Sequence, residues 1–277
     1  MQLVGEYENG LIDVARRTKD ADEIARLEDA GRRSCDVVRV VVEKLKSLRE
    51  RDGLAVDASG SPVTIGQIKR LIAQACDERD LEQLGDNIFA QGRDAGIPHA
   101  HGNVGEPLRV GMALLFDFFP RCKTSGYFHD MTRTFALGHA PDELRKVYDD
   151  VKAAFDAAMS ALTLGGRTKG YHDLVCDVLR KRGHPTILDR WPLEEGYCHS
   201  LGHGLGIQVH EAPSLGGFVD RGDVLEKGSV VTVEPGLYYP NRNLGVRIED
   251  TVVVDPETGA VRSITPFPYE LVVPLAK

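Results

Sequence analysis

The sequence predicts an α/β protein, α+β in layout, whose two halves follow the same plan. Apolar residues recur at helical spacing in four segments, two in each half. Each half then ends in two strand-forming segments around a short polar turn. The halves cover about residues 20–138 and 139–260, within one predicted domain over residues 1–277. Their sequences are too different to establish a duplication.

The first two predicted helices carry their own start signals. Asp20 opens an Asp-x-x-Glu capping box, and apolar residues then follow at helical spacing over 24–48. Thr64 caps the second helix, with Gln67 three residues further on. Two strands should follow over 109–121 and 126–138, joined by the turn-like "CKTS".

The second half repeats this order. Pro141 marks the start of a third helix, and a fourth runs from about Thr168 to a stop at Gly183. The strand-forming segments "GSVVTVEPGLYYP" and "GVRIEDTVVVD" close the half, joined at "NRN".

Composition restricts the class of protein. The net charge is −8, which argues against nucleic acid as the main partner, because phosphate binding requires a basic surface. No apolar run approaches 18 residues and the N-terminal residues lack the pattern of a secretory signal, so neither a membrane span nor export is predicted. Five widely spaced cysteines without a CxxC motif indicate reduced thiols and a cytoplasmic protein.

Four acidic residues occupy matching places on the two predicted hairpins. Asp117 and Asp130 are symmetric about a turn centred between residues 123 and 124, and Glu234 and Glu249 about a turn centred between residues 241 and 242. Each pair would then lie directly opposite across its hairpin, among apolar neighbours. Burying like charges so close is unfavourable by several kcal/mol. A cation between the carboxylates would remove that penalty.

Simpler interpretations exist for each of these acids alone. One Asp or Glu in a strand usually lies on the solvated face, and Arg133 or Arg247 offers a salt-bridge partner. The same arrangement occurring twice, beside a cluster of histidines, favours a metal site. Four carboxylates and one histidine suit two divalent metals about 3.5–4 Å apart. Mn²⁺ is the first expectation, with Co²⁺, Zn²⁺ and Fe²⁺ also compatible.

The histidine cluster lies in "HSLGHGLGIQVHE", residues 199–211, where closely spaced glycines disfavour both helix and strand. Glycines let the backbone bring one histidine to the metals, which leaves the others to contact a substrate.

Together with this stretch, the motifs "LLFDFFPR", "DMTRTF", "TVEPGLY" and "VRIEDTV" resemble the M24 metallopeptidases, the family of methionine aminopeptidase, aminopeptidase P and prolidase. The motifs span about residues 99–255. The resemblance implies the pita-bread (creatinase/aminopeptidase-like) fold, in which pseudo-two-fold halves share a curved antiparallel sheet flanked by helices.

The resemblance also implies a role for each matching residue. One metal would be held by Asp117, the other by His203 and Glu234, and both by Asp130 and Glu249. Glu234 would shuttle the proton of the attacking water. His210 would stabilise the scissile carbonyl, and His99 would contact the substrate, with His101 the weaker candidate.

Three residues are similar to those of the aminopeptidase P and prolidase branch. His199 lies four residues before His203, Arg247 two residues before Glu249, and Tyr238 within "EPGLY". The resemblance implies that they bind substrate, although Arg247 also serves as a simple counter-charge. The implied activity is hydrolysis of Xaa-Pro bonds in peptides or dipeptides. A methionine-aminopeptidase-like exopeptidase and a non-catalytic peptide-binding module are the alternatives.

The sequence departs from this branch in two respects. Thirteen residues separate Asp117 from Asp130 where the family usually has eleven, so we expect the hairpin tip to reach differently into the cleft. The separate N-terminal domain usual in the branch is also expected to be absent, either natively or because the sequence starts at a domain boundary. In the family, that domain helps to build the oligomer. The sequence therefore leaves the oligomeric state undecided, with a homodimer as one alternative.

Overall fold

The computed structural model describes residues 10–217 and 220–277. Residues 1–9 of the predicted domain, with most of the N-terminal segment tested for a signal, therefore lie outside the described part. The α-helices of the described residues are α1 Leu11–Arg16, α2 Ala21–Lys46, α3 Ile65–Asp77, α4 Asp142–Ala161 and α5 Thr168–Lys181. Single turns of 3-10 helix lie at Asp94–Gly96 and Pro240–Arg242.

The strands form several small sheets. In the first half they are β1 Arg49–Arg51, β2 Leu54–Val56, β3 Leu81–Glu82, β4 Ile88–Gln91, β5 Ala113–Phe118, β6 Arg121–Cys122 and β7 Met131–Leu137. In the second half they are β8 Val230–Val233, β9 Gly236–Tyr239, β10 Leu244–Arg247, β11 Asp250–Val254, β12 Val261–Ser263 and β13 Val272–Val273. The largest sheet has the order β13-β7-β5-β4, and another has the order β12-β11-β8. Among these strands, as far as the structure describes the chain, every pairing is antiparallel except that of β13 with β7.

The predicted helices are confirmed, and both capping boxes form. The Asp20 side chain accepts the backbone N–H of Glu23, whose carboxylate accepts the N–H of Asp20. Thr64 and Gln67 make the same reciprocal pair at the start of α3. These caps satisfy N–H groups that the first turn of a helix leaves without a partner.

The predicted register of the first hairpin is wrong. Asp117 of β5 lies opposite Thr132 of β7, and Asp130 lies just before that strand. The turn is longer than "CKTS" because Gly126, with φ +78°, is part of it, and Cys122 pairs with Tyr127. The centre therefore moves by one residue and the register by two. Since side chains alternate with period two, Asp117 and Asp130 still share one face.

The tip of this hairpin docks on the end of α3. Strand β6 pairs with β3, and the Lys123 N–H donates to the Asp80 carbonyl at 2.9 Å. The Lys123 ammonium also meets Asp77 Oδ1 at 2.8 Å. The extra length of the hairpin is therefore taken up against residues 77–82 rather than in a cleft, which corrects our expectation for the tip.

The predicted register of the second hairpin is confirmed. Strand β9 pairs with β10 and β8 with β11, and both pairings share the predicted turn centre. The ladder is interrupted between them, at Glu234 and Glu249. Pro235 has no N–H to donate. The N–H of Glu234 bonds to the Leu201 carbonyl at 2.8 Å, and that of Glu249 to the Thr132 carbonyl at 3.1 Å. Glu249 thereby joins the two hairpins.

Alternation along β5 orients the first acidic residue. Leu114 and Phe116 pack in one core cluster with α2 and α3, whereas Leu115 packs in a second cluster with α4, α5 and the strands of the second half. Asp117 has the same parity as Leu115 and so points towards the second half. No described helix combines the length and apolar composition needed to cross a bilayer. All five cysteines are free thiols.

Candidate metal centre

Residues from four chain segments converge where the hairpins meet. Asp130, His203 and Glu249 each offer one ligand atom, and these atoms all lie within 4.8 Å of one another. Glu234 joins them, because its Oε1 is 3.4 Å from His203 Nε2. His203 Nε2 is also 3.7 Å from Asp130 Oδ2. The fold thus brings four of the five predicted ligands into one cluster.

The imidazole of His203 is oriented for ligation. Its Nδ1 faces the Gly204 carbonyl at 3.1 Å, so Nδ1 carries the hydrogen and donates it. The Nε2 lone pair then points at the carboxylates. Burial lowers the pKa of His203 to about 3, and the nearby His210 adds to the effect. The ring is therefore neutral at physiological pH, the form that binds a metal.

Asp117, the fifth predicted ligand, is paired with Arg247. Its Oδ2 accepts a hydrogen bond from Arg247 Nη2 at 2.6 Å, with both side chains almost fully buried. The other oxygen, Oδ1, is buried without a protein partner, and so is Oδ1 of Asp130. Buried polar atoms are normally hydrogen-bonded. Two orphaned carboxylate oxygens in one cluster are the feature expected of ligands to cations.

Burial opposes the ionisation of three carboxyl groups, those of Asp130, Glu234 and Glu249, by raising the pKa of each. Burial raises the pKa of Asp130, and Asp117 and Glu234 raise it further. Burial and then Asp130 raise the pKa of Glu249. The pKa of Glu234 rises to about 8, mainly through burial, although Arg247 opposes the rise. One arginine does not balance four acids, and the oxygen-rich set with a single imidazole fits hard or borderline divalent cations.

The structure adds two threonines that the sequence analysis did not single out. Thr132 Oγ1 donates to Glu249 Oε2 at 2.6 Å. Thr232 Oγ1 donates to Glu234 Oε1 at 3.2 Å and accepts the His203 N–H at 3.0 Å. In the sequence, each threonine is two residues from an acidic residue of the cluster. Residues two apart in a strand lie on the same face, so this spacing could have identified both threonines.

A directed hydrogen-bond chain lies behind the cluster. Arg247 Nη1 donates to the Tyr238 hydroxyl at 2.6 Å, and that hydroxyl bonds His199 Nε2 at 2.8 Å. His199 Nδ1 faces the Ser200 carbonyl at 2.7 Å and must donate, so Nε2 accepts from Tyr238. Burial, with Arg247, lowers the pKa of His199 to about 3 and keeps the ring neutral.

A cavity of about 450 Å³ opens over the cluster. Its wall includes the five predicted ligands, the predicted contact residues His99, His199, His210 and Arg247, and also His101, Ile88, Pro98, Phe119 and Val209. Tyr238 is fully buried and is not among the described residues of this wall. A molecule bound in this cavity would reach Tyr238 only through His199 and Arg247.

The remaining histidines differ in exposure. His210 is exposed at the rim, and its ring meets that of His203 edge-on at a centroid distance of 4.3 Å. His99 is on the cavity wall. His101 Nδ1 lies 3.9 Å from Asp86 Oδ2, and its side chain is half exposed. His203 and His210, whose rings are in contact, come from one glycine-rich segment.

The sequence profile of metallopeptidase family M24 matches residues 25–256. The uncharacterized peptidase YqhT of Bacillus subtilis is 31% identical over 262 residues, which cover 95% of this chain and 66% of that protein. The Xaa-Pro dipeptidase of Pyrococcus furiosus is 30% identical over 228 residues, which cover 80% of this chain and 60% of that protein. The chain thus spans two thirds or less of the length of these relatives.

Solved structures agree with the sequence comparison. The Xaa-Pro dipeptidase of Bacillus anthracis superposes with a TM-score of 0.80 at 27% identity, over 97% of this chain and 67% of that one. The X-Pro aminopeptidase of Thermotoga maritima gives a TM-score of 0.78 at 26% identity, over 95% of this chain and 66% of that one. The predicted pita-bread fold is confirmed.

Proposed function

The chain belongs to metallopeptidase family M24, and on that premise we propose that it hydrolyses the Xaa-Pro bond of peptides or dipeptides with two bound divalent cations. The observation that carries this proposal is the buried acidic cluster facing His203, in which two carboxylate oxygens have no protein partner. The proposed ligands are Asp117, Asp130, His203, Glu234 and Glu249. Mn²⁺ is the first candidate, and Co²⁺, Zn²⁺ and Fe²⁺ also suit this set.

The protein groups divide the chemistry between them. Bound divalent cations lower the pKa of water towards neutrality and polarise a carbonyl. Glu234 can take a proton from the attacking water and return it to the leaving nitrogen, because its carboxylate lies beside His203 in the cluster and is held there by Thr232. His210, exposed at the rim beside His203, donates a hydrogen bond to the carbonyl oxygen as negative charge develops there.

Selectivity for proline follows from what proline lacks. The nitrogen of an Xaa-Pro bond carries no hydrogen, so the site must position that bond through its carbonyl and flanking groups. His99 and His210 line the cavity and offer ring nitrogens for this purpose, whereas both ring nitrogens of His199 are already hydrogen-bonded and its ring contributes to the wall. Relatives and structural neighbours named as Xaa-Pro dipeptidases and aminopeptidases support the same substrate class.

Peptides of equal length test the proposal. We expect kcat/KM of the Mn²⁺-loaded protein to be much higher for Ala-Pro than for Met-Ala peptides, with Met-Pro close to Ala-Pro. Faster cleavage of Met-Ala would instead establish a methionine-aminopeptidase-like enzyme. Peptide binding without hydrolysis of any of the three, in protein shown by elemental analysis to hold metal, would indicate a binding module. Comparing Xaa-Pro dipeptides with tripeptides then fixes the preferred length.

A further inference from the structure

The glutamate of the "VHE" motif makes a buried ion pair with a lysine that is distant in the sequence. Glu211 Oε2 meets the ammonium of Lys19 at 2.9 Å, and each side chain is only 3% exposed. The two residues are 192 positions apart. Glu211 follows His210 directly, so the ion pair connects the segment before α2 to the segment that carries both His203 and His210.

Lys19 is itself held firmly. Its N–H donates to the Gly228 carbonyl at 2.8 Å, and its ammonium also donates to the Arg16 carbonyl at 2.6 Å. The ion pair packs closely against Gly206, where a Cβ atom would come within 2.5 Å of Glu211 Oε2 and 2.8 Å of Lys19 Cε. The carboxylate of Glu211 therefore has little room to move.

Glu211 reaches the ring of His203 through one carbonyl group. The Gly204 carbonyl accepts the Glu211 N–H at 2.8 Å and also faces His203 Nδ1 at 3.1 Å. The Gly204 N–H in turn donates to the Glu211 carbonyl at 2.9 Å. The bond that fixes the tautomer of His203 thus depends on the position of Glu211, and so does the edge-on contact of His203 with His210.

We propose that Lys19 is a positioning residue, whose ion pair with Glu211 fixes the relative placement of the His203 and His210 rings. The proposal rests on the proposed peptidase function for its effect on rate, but the ring geometry exists without it. A charged group buried at this depth is unfavourable unless it is paired, so loss of the lysine charge forces Glu211 to move towards water. That movement opens the Gly204 bond pair and releases both histidine rings.

The test compares Lys19→Met with Lys19→Arg and with Leu45→Ala. Leu45 is a fully buried core residue at the other end of α2, so its truncation destabilises the protein without touching the cluster. We expect Lys19→Met to lower kcat on an Ala-Pro peptide about 10- to 100-fold with KM within about 3-fold, since a small misplacement acts mainly on the transition state. Lys19→Arg should restore most of kcat, and Leu45→Ala should keep it.

A second readout is independent of activity. In metal-free protein, the ring NMR signals of His203 and His210, assigned with His→Gln variants, should shift in Lys19→Met and stay in place in Leu45→Ala. If Lys19→Met does not fold, Lys19→Gln removes the same charge but keeps a polar side chain, and it should show shifts of both rings and a loss of kcat in the same direction, smaller in size.

The outcomes separate the two ideas. Wild-type ring signals in the folded Lys19→Met or Lys19→Gln variant overturn the proposal, as does a loss of kcat no larger than that of Leu45→Ala. If even the wild-type protein cleaves no Xaa-Pro peptide, the proposed function fails, while the NMR comparison still decides the role of Lys19.

Discussion

Replacement of Tyr238 by Phe removes a single hydroxyl from the chain behind the acidic cluster. That hydroxyl is an acceptor for Arg247 Nη1 at 2.6 Å and a donor to His199 Nε2 at 2.8 Å. The ring is fully buried, and phenylalanine fills the same space. The substitution therefore leaves two buried polar atoms without their short partner while packing stays nearly unchanged.

The structure sets the size of the effect. A buried group deprived of its partner costs about 1–3 kcal/mol, and more when the group is charged. Arg247 keeps its hydrogen bonds to Asp117 and Thr132, which limits the free-energy cost of losing its bond to Tyr238. We expect Tyr238→Phe to lower the free energy of unfolding of the metal-free protein by about 2–4 kcal/mol.

Tyr197 provides a matched control. It is equally buried, but its hydroxyl makes one long contact, 3.4 Å from His172 Nδ1. Tyr197→Phe should lower the free energy of unfolding by less than about 1 kcal/mol. Urea unfolding in the presence of a chelator measures both variants. Equal losses in the two, or a loss below 0.5 kcal/mol (roughly the noise of such a measurement) for Tyr238→Phe, would refute the reasoning.

Three further outcomes are expected. Chelation should abolish hydrolysis and Mn²⁺ or Co²⁺ should restore it, so full activity in protein shown to be metal-free would exclude the proposed centre. Glu234→Gln should lower kcat by about 10²–10⁴-fold at saturating metal, measured beside KM, and near-normal turnover would remove Glu234 as proton carrier. In chelated protein the carboxyl of Glu234, whose pKa is raised to about 8, contributes stability that is complete below the unfolded-state pKa and is lost as pH rises through the folded-state pKa. Urea unfolding between pH 7 and 9 should therefore show the wild type losing more stability than Glu234→Gln, by a difference on the order of 1 kcal/mol, and parallel curves would contradict that assignment.

The second hairpin was predictable from the sequence in detail. Symmetry about residues 241 and 242 placed Glu234 opposite Glu249, and the strands on both sides of the interruption keep that register. The information was local, because a short polar turn between two apolar segments sets the register in which the two strands on either side of it pair. The interruption itself was not predicted, although Pro235 was a visible signal for it.

The first hairpin was predicted less well because its turn depends on a backbone angle. Gly126 takes a positive φ inside the turn, which moves the centre away from the middle of "CKTS". The prediction that Asp117 and Asp130 share a face still holds, because the register differs from the predicted one by two residues, and side chains two residues apart point to the same face. The residue directly opposite Asp117, however, is Thr132 and not Asp130.

Contacts between distant segments were beyond reach of the sequence. Nothing near Lys19 or Glu211 indicates that they meet, and Tyr238 could be assigned to a substrate role only by resemblance. The structure places that tyrosine behind the cavity wall. Such pairs are set by the packing of whole elements, which one sequence read alone does not specify.

The division of the acidic cluster between the halves has a consequence for how the protein matures. Asp117 and Asp130 are made before the second half of the domain, whereas Glu249, which joins the hairpins through Thr132, is the last residue of the cluster to be synthesised. A nascent chain that ends before Glu249 lacks one proposed metal ligand. It also lacks the bridge between Glu249 and Thr132 that joins the two hairpins. Because metal affinity comes from the assembled site, cations should load only after Glu249 has emerged and the two hairpins have joined. The cell's metal supply would then control activation of finished molecules rather than their synthesis.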